Sequence, residues 1–201
     1  MAMSSTAKVL LVAAVAGVFG AVIGIALNSP APLLRTEIGQ RVLQGVLAAG
    51  APEPPADLAV ARRGQALPAL SLPRLGGGDL TLPDDYAGRP ILVNLWASWC
   101  GPCIQEMPEL ERFAASQGEA GTQVVGIALD EEAAVREFLG RVPVSYPIVL
   151  DQAGPADAGV RLGNPRGVLP YTVLVGTDGR LLKQKIGPFE HGEIDQWADA
   201  R

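Results

Sequence analysis

Residues 90–97 (PILVNLWA) carry no charge and a single strongly polar side chain, Asn94. A run this short and this apolar predicts a strand buried on both faces of a sheet, which in turn needs a layer of structure on each side. The sequence around it supplies those layers. Residues 100–117 predict a helix, with Ile104, Met107, Leu110, Glu111 and Ala114 recurring at steps of three and four. Residues 124–129 predict a second buried strand, residues 131–140 a second helix opened by acidic side chains that suit its positive end, and residues 146–150 a further short strand. Ahead of the central run, residues 67–72 and 80–82 predict short strands around the turn Gly76-Gly77-Gly78. Beyond it, residues 171–176 and 181–186 flank Thr177-Asp178-Gly179-Arg180, whose Asp-Gly pair signals a hairpin, and residues 191–200 predict a closing helix. Strands that alternate with helices and end in a hairpin and a helix place the chain in the α/β class, with a mixed central sheet flanked by helices.

A second apolar run has a different length and a different meaning. Residues 9–27 (VLLVAAVAGVFGAVIGIAL) contain no charged or strongly polar side chain. As a helix rising ~1.5 Å per residue they span roughly 28 Å, close to the hydrocarbon core of a bilayer. The run is apolar all round, where a helix of a soluble core shows a polar face. It therefore predicts a single transmembrane helix, and it exceeds the apolar region of an ordinary cleaved signal peptide. No cysteine lies nearby to take a lipid, so an uncleaved anchor is favoured. Lys8 and the amino terminus precede the run while Arg35 and Arg41 follow it, a near tie; the short basic tail ahead of the first apolar segment is the export signal. That orientation leaves residues 28–201 outside the cytoplasm, facing the periplasm or exterior, on a single-pass protein of the inner (cytoplasmic) membrane.

The chain thus divides into an anchor (1–27), a linker (28–65) and a domain (66–201). The linker holds Pro30, Pro32, Pro52, Pro54 and Pro55, and its apolar residues recur at helical spacing between 33 and 49, so it is read as a spacer that is partly helical. Charge divides at the same place: residues 1–65 carry five basic and three acidic groups, residues 66–201 eleven and eighteen. An acidic domain excludes a basic nucleic-acid-binding surface.

The chain has two cysteines and one histidine. These are too few for a structural zinc site or a disulfide-stapled scaffold, and no metal site is expected. Cys100 and Cys103 stand three apart, directly after the central strand and at the start of the first helix. A thiol at a helix N-terminus meets unpaired backbone N–H groups and the positive end of the dipole, which favour thiolate and make Cys100 the nucleophile. The i, i+3 spacing brings Cys103 onto the same face within reach of a disulfide, one turn further in, as the resolving thiol. Pro102 falls in the first turn, where its missing N–H costs nothing. A c-type haem site needs histidine after Cys103, where Ile104 stands. A purely structural disulfide closing so short a loop stabilises little. The lone His191 reads as a surface or helix-start residue.

The segment VNLWASWCGPC (residues 93–103) resembles the active-site segment of the thioredoxin superfamily, and GVLPYT (residues 167–172) resembles its second signature, a cis-proline loop before a strand. Within that superfamily the chain is most similar to the membrane-anchored TlpA/ResA-like thiol-disulfide oxidoreductases. Asn94 stands where thioredoxin has a buried aspartate, Glu106 and Pro108 match the branch's C-x-x-E-x-P continuation, and residues 121–150 look like its inserted helix and strand. The resemblance implies a thioredoxin fold, a redox-active Cys100–Cys103 disulfide, a cis Pro170, and substrate pairing at the backbone of Leu169. It implies protein substrates bearing disulfides, such as cytochrome c maturation substrates, a membrane thiol as electron donor, and no cofactor. Asn94 cannot take a proton, so Glu106, one turn along the helix, is the candidate proton acceptor for Cys103; the alternative is an ordinary exposed helix glutamate. Pro108 is expected to kink the helix. Trp96 is read as core, whereas Trp99, beside the nucleophile, is expected to cover the site and touch substrate.

The Gly-Pro pair between the cysteines is that of thioredoxin, a reductant at about −270 mV, which favours a disulfide reductase. An oxidase or isomerase remains open, as does a redox-silent tethered binding module. A peroxidase is disfavoured, because residues 96–100 read WASWC in place of Thr-x-x-Cys.

Overall fold

The central run folds as predicted into a strand with no exposed residue, and the rest of the domain is arranged around it. In the computed structural model, residues 53–199 are described continuously, with isolated positions before them (17, 24, 38–40, 42, 46 and 49). The chain divides into two units, Met1–Leu43 and Gln44–Arg201. Among the described residues no helix is long and apolar enough to cross a membrane. The expected span, residues 9–27, lies outside the described residues apart from Gly17 and Gly24, which are helical. Of the helical spacing expected over 33–49, the described positions are helical and Ile38, Val42 and Val46 are exposed.

In chain order the elements are β1 (Leu70–Pro73), β2 (Asp79–Leu82), a single 3-10 turn (Asp84–Tyr86), β3 (Ile91–Trp96), α1 (Gly101–Ser116), β4 (Gln123–Leu129), α2 (Glu132–Arg141), β5 (Ile148–Asp151), α3 (Ala158–Arg161), β6 (Tyr171–Val175), β7 (Leu181–Ile186) and α4 (Glu193–Trp197). Five strands form one sheet in the order β5-β4-β3-β6-β7, and β1 and β2 form a separate hairpin. The pairs β3/β4 and β4/β5 are parallel, while β3/β6 and β6/β7 are antiparallel, so the sheet is mixed.

Period-two alternation sorts β3 between two cores. Ile91, Val93 and Leu95 join the cluster covered by the β1/β2 hairpin and α3. Leu92 and Trp96 join the cluster covered by α1, α2 and α4, with Met107, Leu110, Phe113, Val135, Phe138 and Ile194. Asn94 lies on that second face, under α1.

Three boundaries differ from those expected. The closing helix runs Glu193–Trp197, shorter than 191–200: Gly192 takes φ 76°, a left-handed conformation, as its N-cap, so the helix starts two residues later than expected. The strands expected at 67–72 and 146–150 lie later, at Leu70–Pro73 and Ile148–Asp151. Part of the expected linker is built into the domain: Ala61 N–H donates to Arg161 O at 2.7 Å, Gly64 N–H to Leu181 O at 2.8 Å, and Leu181 N–H to Gln65 O at 3.0 Å. Two short elements, the 3-10 turn and α3, lack the periodicity that would have revealed them. Pro108 sits inside α1, on its exposed side, and the helix continues past it to Ser116.

On β4, Gly126 faces Asn94 in register. A Cβ there would stand 2.6 Å from Ile148 Cδ1 and 3.2 Å from both Trp96 Nε1 and Tyr146 Cε2. Gly126→Ala is expected to overpack this face and destabilise the domain by about 1–3 kcal/mol, read as a lowered midpoint in chemical denaturation.

Candidate active site

Strand β3 ends at Trp96 and α1 begins at Gly101, so the connection delivers Cys100 to the C-terminal end of the central strand. Asp130, just past β4, fixes this connection by accepting from Ser98 N–H at 3.0 Å and Ser98 Oγ–H at 2.6 Å. Cys100 is the N-cap of α1: its carbonyl accepts the first helical bond, from Ile104 N–H at 3.1 Å, and its sulfur accepts from Cys103 N–H at 3.3 Å. Cys100 and Cys103 are joined in a disulfide, with Cα atoms 5.3 Å apart. Cys103 is fully buried and Cys100 reaches the surface by 6% of its area, whereas the neighbouring Trp99 is 69% exposed. The outer sulfur is therefore flanked by a large apolar side chain open to solvent.

Glu106 stands one turn beyond Cys103 on α1 and is 1% exposed, which rules out an ordinary surface glutamate. Its carboxyl is held at both oxygens. Asn94 Nδ2 donates to Oε1 at 2.8 Å, and the Phe189 N–H donates to Oε2 at 3.0 Å. Burial pushes the Glu106 carboxyl up to about 7, against the lowering effect of these two donors and of the Lys185 ammonium. Asn94 also donates to Thr172 Oγ1 at 3.0 Å across the β3/β6 pair.

The register extends this contact into a polar row across the sheet. Gly126, Asn94, Thr172 and Lys185 stand opposite one another on β4, β3, β6 and β7. Lys185 is 2% exposed; its Nζ lies 2.8 Å from Glu193 Oε1 on α4 and 5.2 Å from the centre of the Phe189 ring. Three buried polar atoms on this side, Asn94 Oδ1, Trp96 Nε1 and the Tyr146 hydroxyl, have no partner among the described residues.

The turn before α4 is clasped to α1 by Glu109. This carboxylate accepts from Gly192 N–H at 2.7 Å and from Arg112, and lies 3.1 Å from His191 Nδ1. The Arg112 guanidinium, with the Gly192 N–H, holds it down at about 2. The clasp anchors the segment whose Phe189 N–H reaches Glu106. His191, read from sequence as a surface or helix-start residue, is an exposed partner of this clasp.

On the other side of the disulfide, the Leu169–Pro170 peptide is cis. Pro170 is buried, and Leu169 packs against the cluster that contains both cysteines. The structure thus gathers Trp99, Cys100, Cys103, Glu106 and Leu169–Pro170 at one end of the sheet. Sequence reading missed Thr172, Lys185, Glu193 and the Phe189 amide. A lysine inside a strand pattern, in β7, was the one signal that offered a way in. No group of His, Cys, Asp and Glu among the described residues has metal-binding geometry.

Comparison with known proteins gives the arrangement a family. The Redoxin family model matches residues 62–200. Thiol-disulfide oxidoreductase ResA of Halalkalibacterium halodurans is 27% identical over 147 residues, 72% of this chain and 80% of that protein. Sporulation thiol-disulfide oxidoreductase A of Bacillus subtilis is 26% identical over 139 residues, 67% of this chain and 81% of that one. Against ResA of Bacillus thuringiensis strain Al Hakam the chain spans 58% of the relative's length, at 29% identity. Among solved structures, a thiol-disulfide oxidoreductase from Bacteroides fragilis superposes with a TM-score of 0.54 at 26% identity, covering 61% of this chain and 90% of that one. The DsbF homologue from Corynebacterium diphtheriae shares the fold with a TM-score of 0.60 at 20% identity, covering 75% and 97%. A mixed sheet with a Cys-x-x-Cys helix start and a cis-proline before β6, matched over most of the domain, is a thioredoxin fold, and the chain belongs to the Redoxin family as a TlpA/ResA-like thiol-disulfide oxidoreductase of the thioredoxin superfamily.

Proposed function

We propose that this chain is a membrane-anchored reductase that delivers electrons from the Cys100–Cys103 dithiol to disulfides of exported proteins. The observation that carries this reading is the disulfide itself, capping α1 beside the exposed Trp99, with the buried Glu106 carboxyl one turn below. The 9–27 run supports placement in the cytoplasmic membrane with the domain outside, where substrates such as cytochrome c maturation proteins carry unwanted disulfides. Electrons come from a membrane thiol.

The steps follow from the positions of the groups. In the reduced protein the Cys100 thiolate, favoured at the helix N-terminus, attacks one sulfur of the substrate disulfide and expels the other as a thiolate. The resulting mixed disulfide has its substrate chain lying over Trp99 and along the backbone of Leu169. Cys103 then gives its proton to Glu106 and attacks Cys100 Sγ, which releases the second substrate sulfur as a thiolate and closes the Cys100–Cys103 disulfide. Two electrons pass from the dithiol to the substrate, and the membrane donor returns the dithiol to its reduced form.

Insulin reduction by the full chain should be abolished in Cys100→Ser, and Cys103→Ala should accumulate mixed disulfides visible on a non-reducing gel. Equal activity in wild type and Cys100→Ser would leave only a binding module. A second test uses pH. With the Glu106 carboxyl at about 7, its basic form is populated above that pH, so resolution of the mixed disulfide should accelerate as pH rises through 7. Glu106→Gln should remove that limb and slow resolution by roughly a hundredfold at pH 8, measured in stopped flow. The same raised carboxyl contributes stability that is full below about pH 4.5 and is lost as pH rises toward 7, a slope that Glu106→Gln should flatten in denaturant titrations. For orientation, a phosphatase reporter fused after Arg201 should be active outside the cytoplasm, and an inactive fusion would reverse the proposed topology.

A further inference from the structure

Asn164 is absent from the motifs that mark this site, yet it is 3% exposed and sits just before the cis-proline loop. Its side chain makes two hydrogen bonds, both to one residue. Asn164 Nδ2 donates to Val168 O at 2.9 Å, and Val168 N–H donates to Asn164 Oδ1 at 3.2 Å. The two backbone partners fix which end of the amide is oxygen and which nitrogen. A carboxamide carries a donor and an acceptor in one plane, as a peptide group does, so Asn164 stands against Val168 as a neighbouring strand would. Asn164 is itself pinned by its backbone: its N–H donates to Gly159 O at 2.8 Å and its carbonyl accepts from Gly167 N–H at 3.1 Å. Gly167 turns the chain with φ 59°.

This arrangement divides the loop. Both backbone groups of Val168 are consumed by Asn164. The next residue, Leu169, has its side chain against the disulfide cluster, and among the described residues no hydrogen bond engages its N–H or C=O. The following residue, Pro170, has no N–H to offer. Leu169 is therefore the one position in the loop whose main chain is open to a partner with both a donor and an acceptor, next to the disulfide and the exposed Trp99.

We propose that Asn164 is a positioning residue for protein disulfides: by pairing with Val168 it holds residues 167–170 in place and presents Leu169 as the single rung on which an extended substrate chain docks. This rests on the reductase reading above and sharpens its substrate class. The preferred partner is a disulfide within an extended, accessible main chain, since a small disulfide without a peptide backbone gains nothing from the rung. Asparagine is required, because alanine removes both bonds, and aspartate keeps an acceptor for Val168 N–H but sets a carboxylate against the Val168 carbonyl.

The test compares the pre-reduced full chain with its Asn164→Ala and Asn164→Asp variants, measuring second-order rate constants for insulin and for dithiobis-nitrobenzoate, an aromatic disulfide with no backbone. The insulin-to-small-disulfide ratio should fall about tenfold in Asn164→Ala, the size expected for losing one or two hydrogen bonds that hold a docking strand, and by less in Asn164→Asp. Amide exchange at Val168 should accelerate in the same order. A ratio unchanged in Asn164→Ala, including an equal fall of both rate constants from general damage, overturns the role of Asn164 while leaving the reductase reading intact. A wild-type chain that reduces the small disulfide but not insulin overturns the protein-substrate reading and this inference together.

Discussion

The hydrogen bond from Asn94 to Glu106, at 2.8 Å, joins the central strand to the helix that carries the disulfide. A carboxyl sealed in an apolar interior must be given donors or it destabilises the fold, and here the donors come from two elements far apart in sequence. Asn94 comes from the middle of β3, and the Phe189 amide from the turn between β7 and α4. Forming both bonds requires α1 to lie across β3 at one register and the C-terminal segment to close over it. The Glu109 clasp secures that closure from the other side of α1, through Gly192 N–H at 2.7 Å. Placement of Cys100 at the end of β3 is a consequence: with α1 fixed by Glu106, the short connection after Trp96 has little choice of where to put its N-cap.

The same geometry explains why an asparagine serves at position 94. An aspartate there would set a second carboxyl against Glu106 in a low-dielectric site, and one of the two would have to remain protonated. Asparagine instead offers its two N–H groups to Glu106 Oε1 and Thr172 Oγ1, leaving a single ionisable group beneath the disulfide. The Lys185–Glu193 pair stands at the end of the polar row, and Lys185 draws the Glu106 carboxyl down where Glu193 raises it. Desolvation is the largest influence on Glu106, ahead of its two hydrogen-bond donors and of both charges.

Much of this was legible in the sequence, because the signals were local. The β3 run is short, apolar and followed at once by Cys-x-x-Cys, so strand, helix start and thiol pair are read from neighbouring residues. Glu106 was legible in identity and illegible in environment: its donors lie 12 and 83 residues away, and helix periodicity alone does not say that a glutamate one turn from Cys103 faces the sheet. Lys185 was hidden for the same reason, since its partners, Glu193 and the Phe189 ring, belong to α4 and to the turn before it. Asn164 was hidden differently. Asn-Pro-Arg-Gly reads as any polar turn, and the side chain's role depends on a bond to Val168 that exists only once the loop has closed. The 3-10 turn and α3 are too short to show a period at all.

The proton-handling and docking sides of the site are separate in sequence but meet in one strand. Leu169 packs against the clusters on both faces of the sheet, so the docking rung is seated in the whole core and not in a surface flap. Two residues after Pro170, Thr172 Oγ1 accepts from Asn94 at 3.0 Å, inside the row that holds Glu106. The chain from Val168 to Thr172 is therefore fixed at one end by the Asn164 amide and at the other by the Asn94 amide. Between these two points lie the rung and the proline. On the proposed docking mode, a substrate paired with Leu169 would load a segment whose two ends are both tied to buried carboxamides. The proton affinity of Glu106 is set within the fold, by its burial and by donors from Asn94 and Phe189, none of which belongs to the Val168–Pro170 loop.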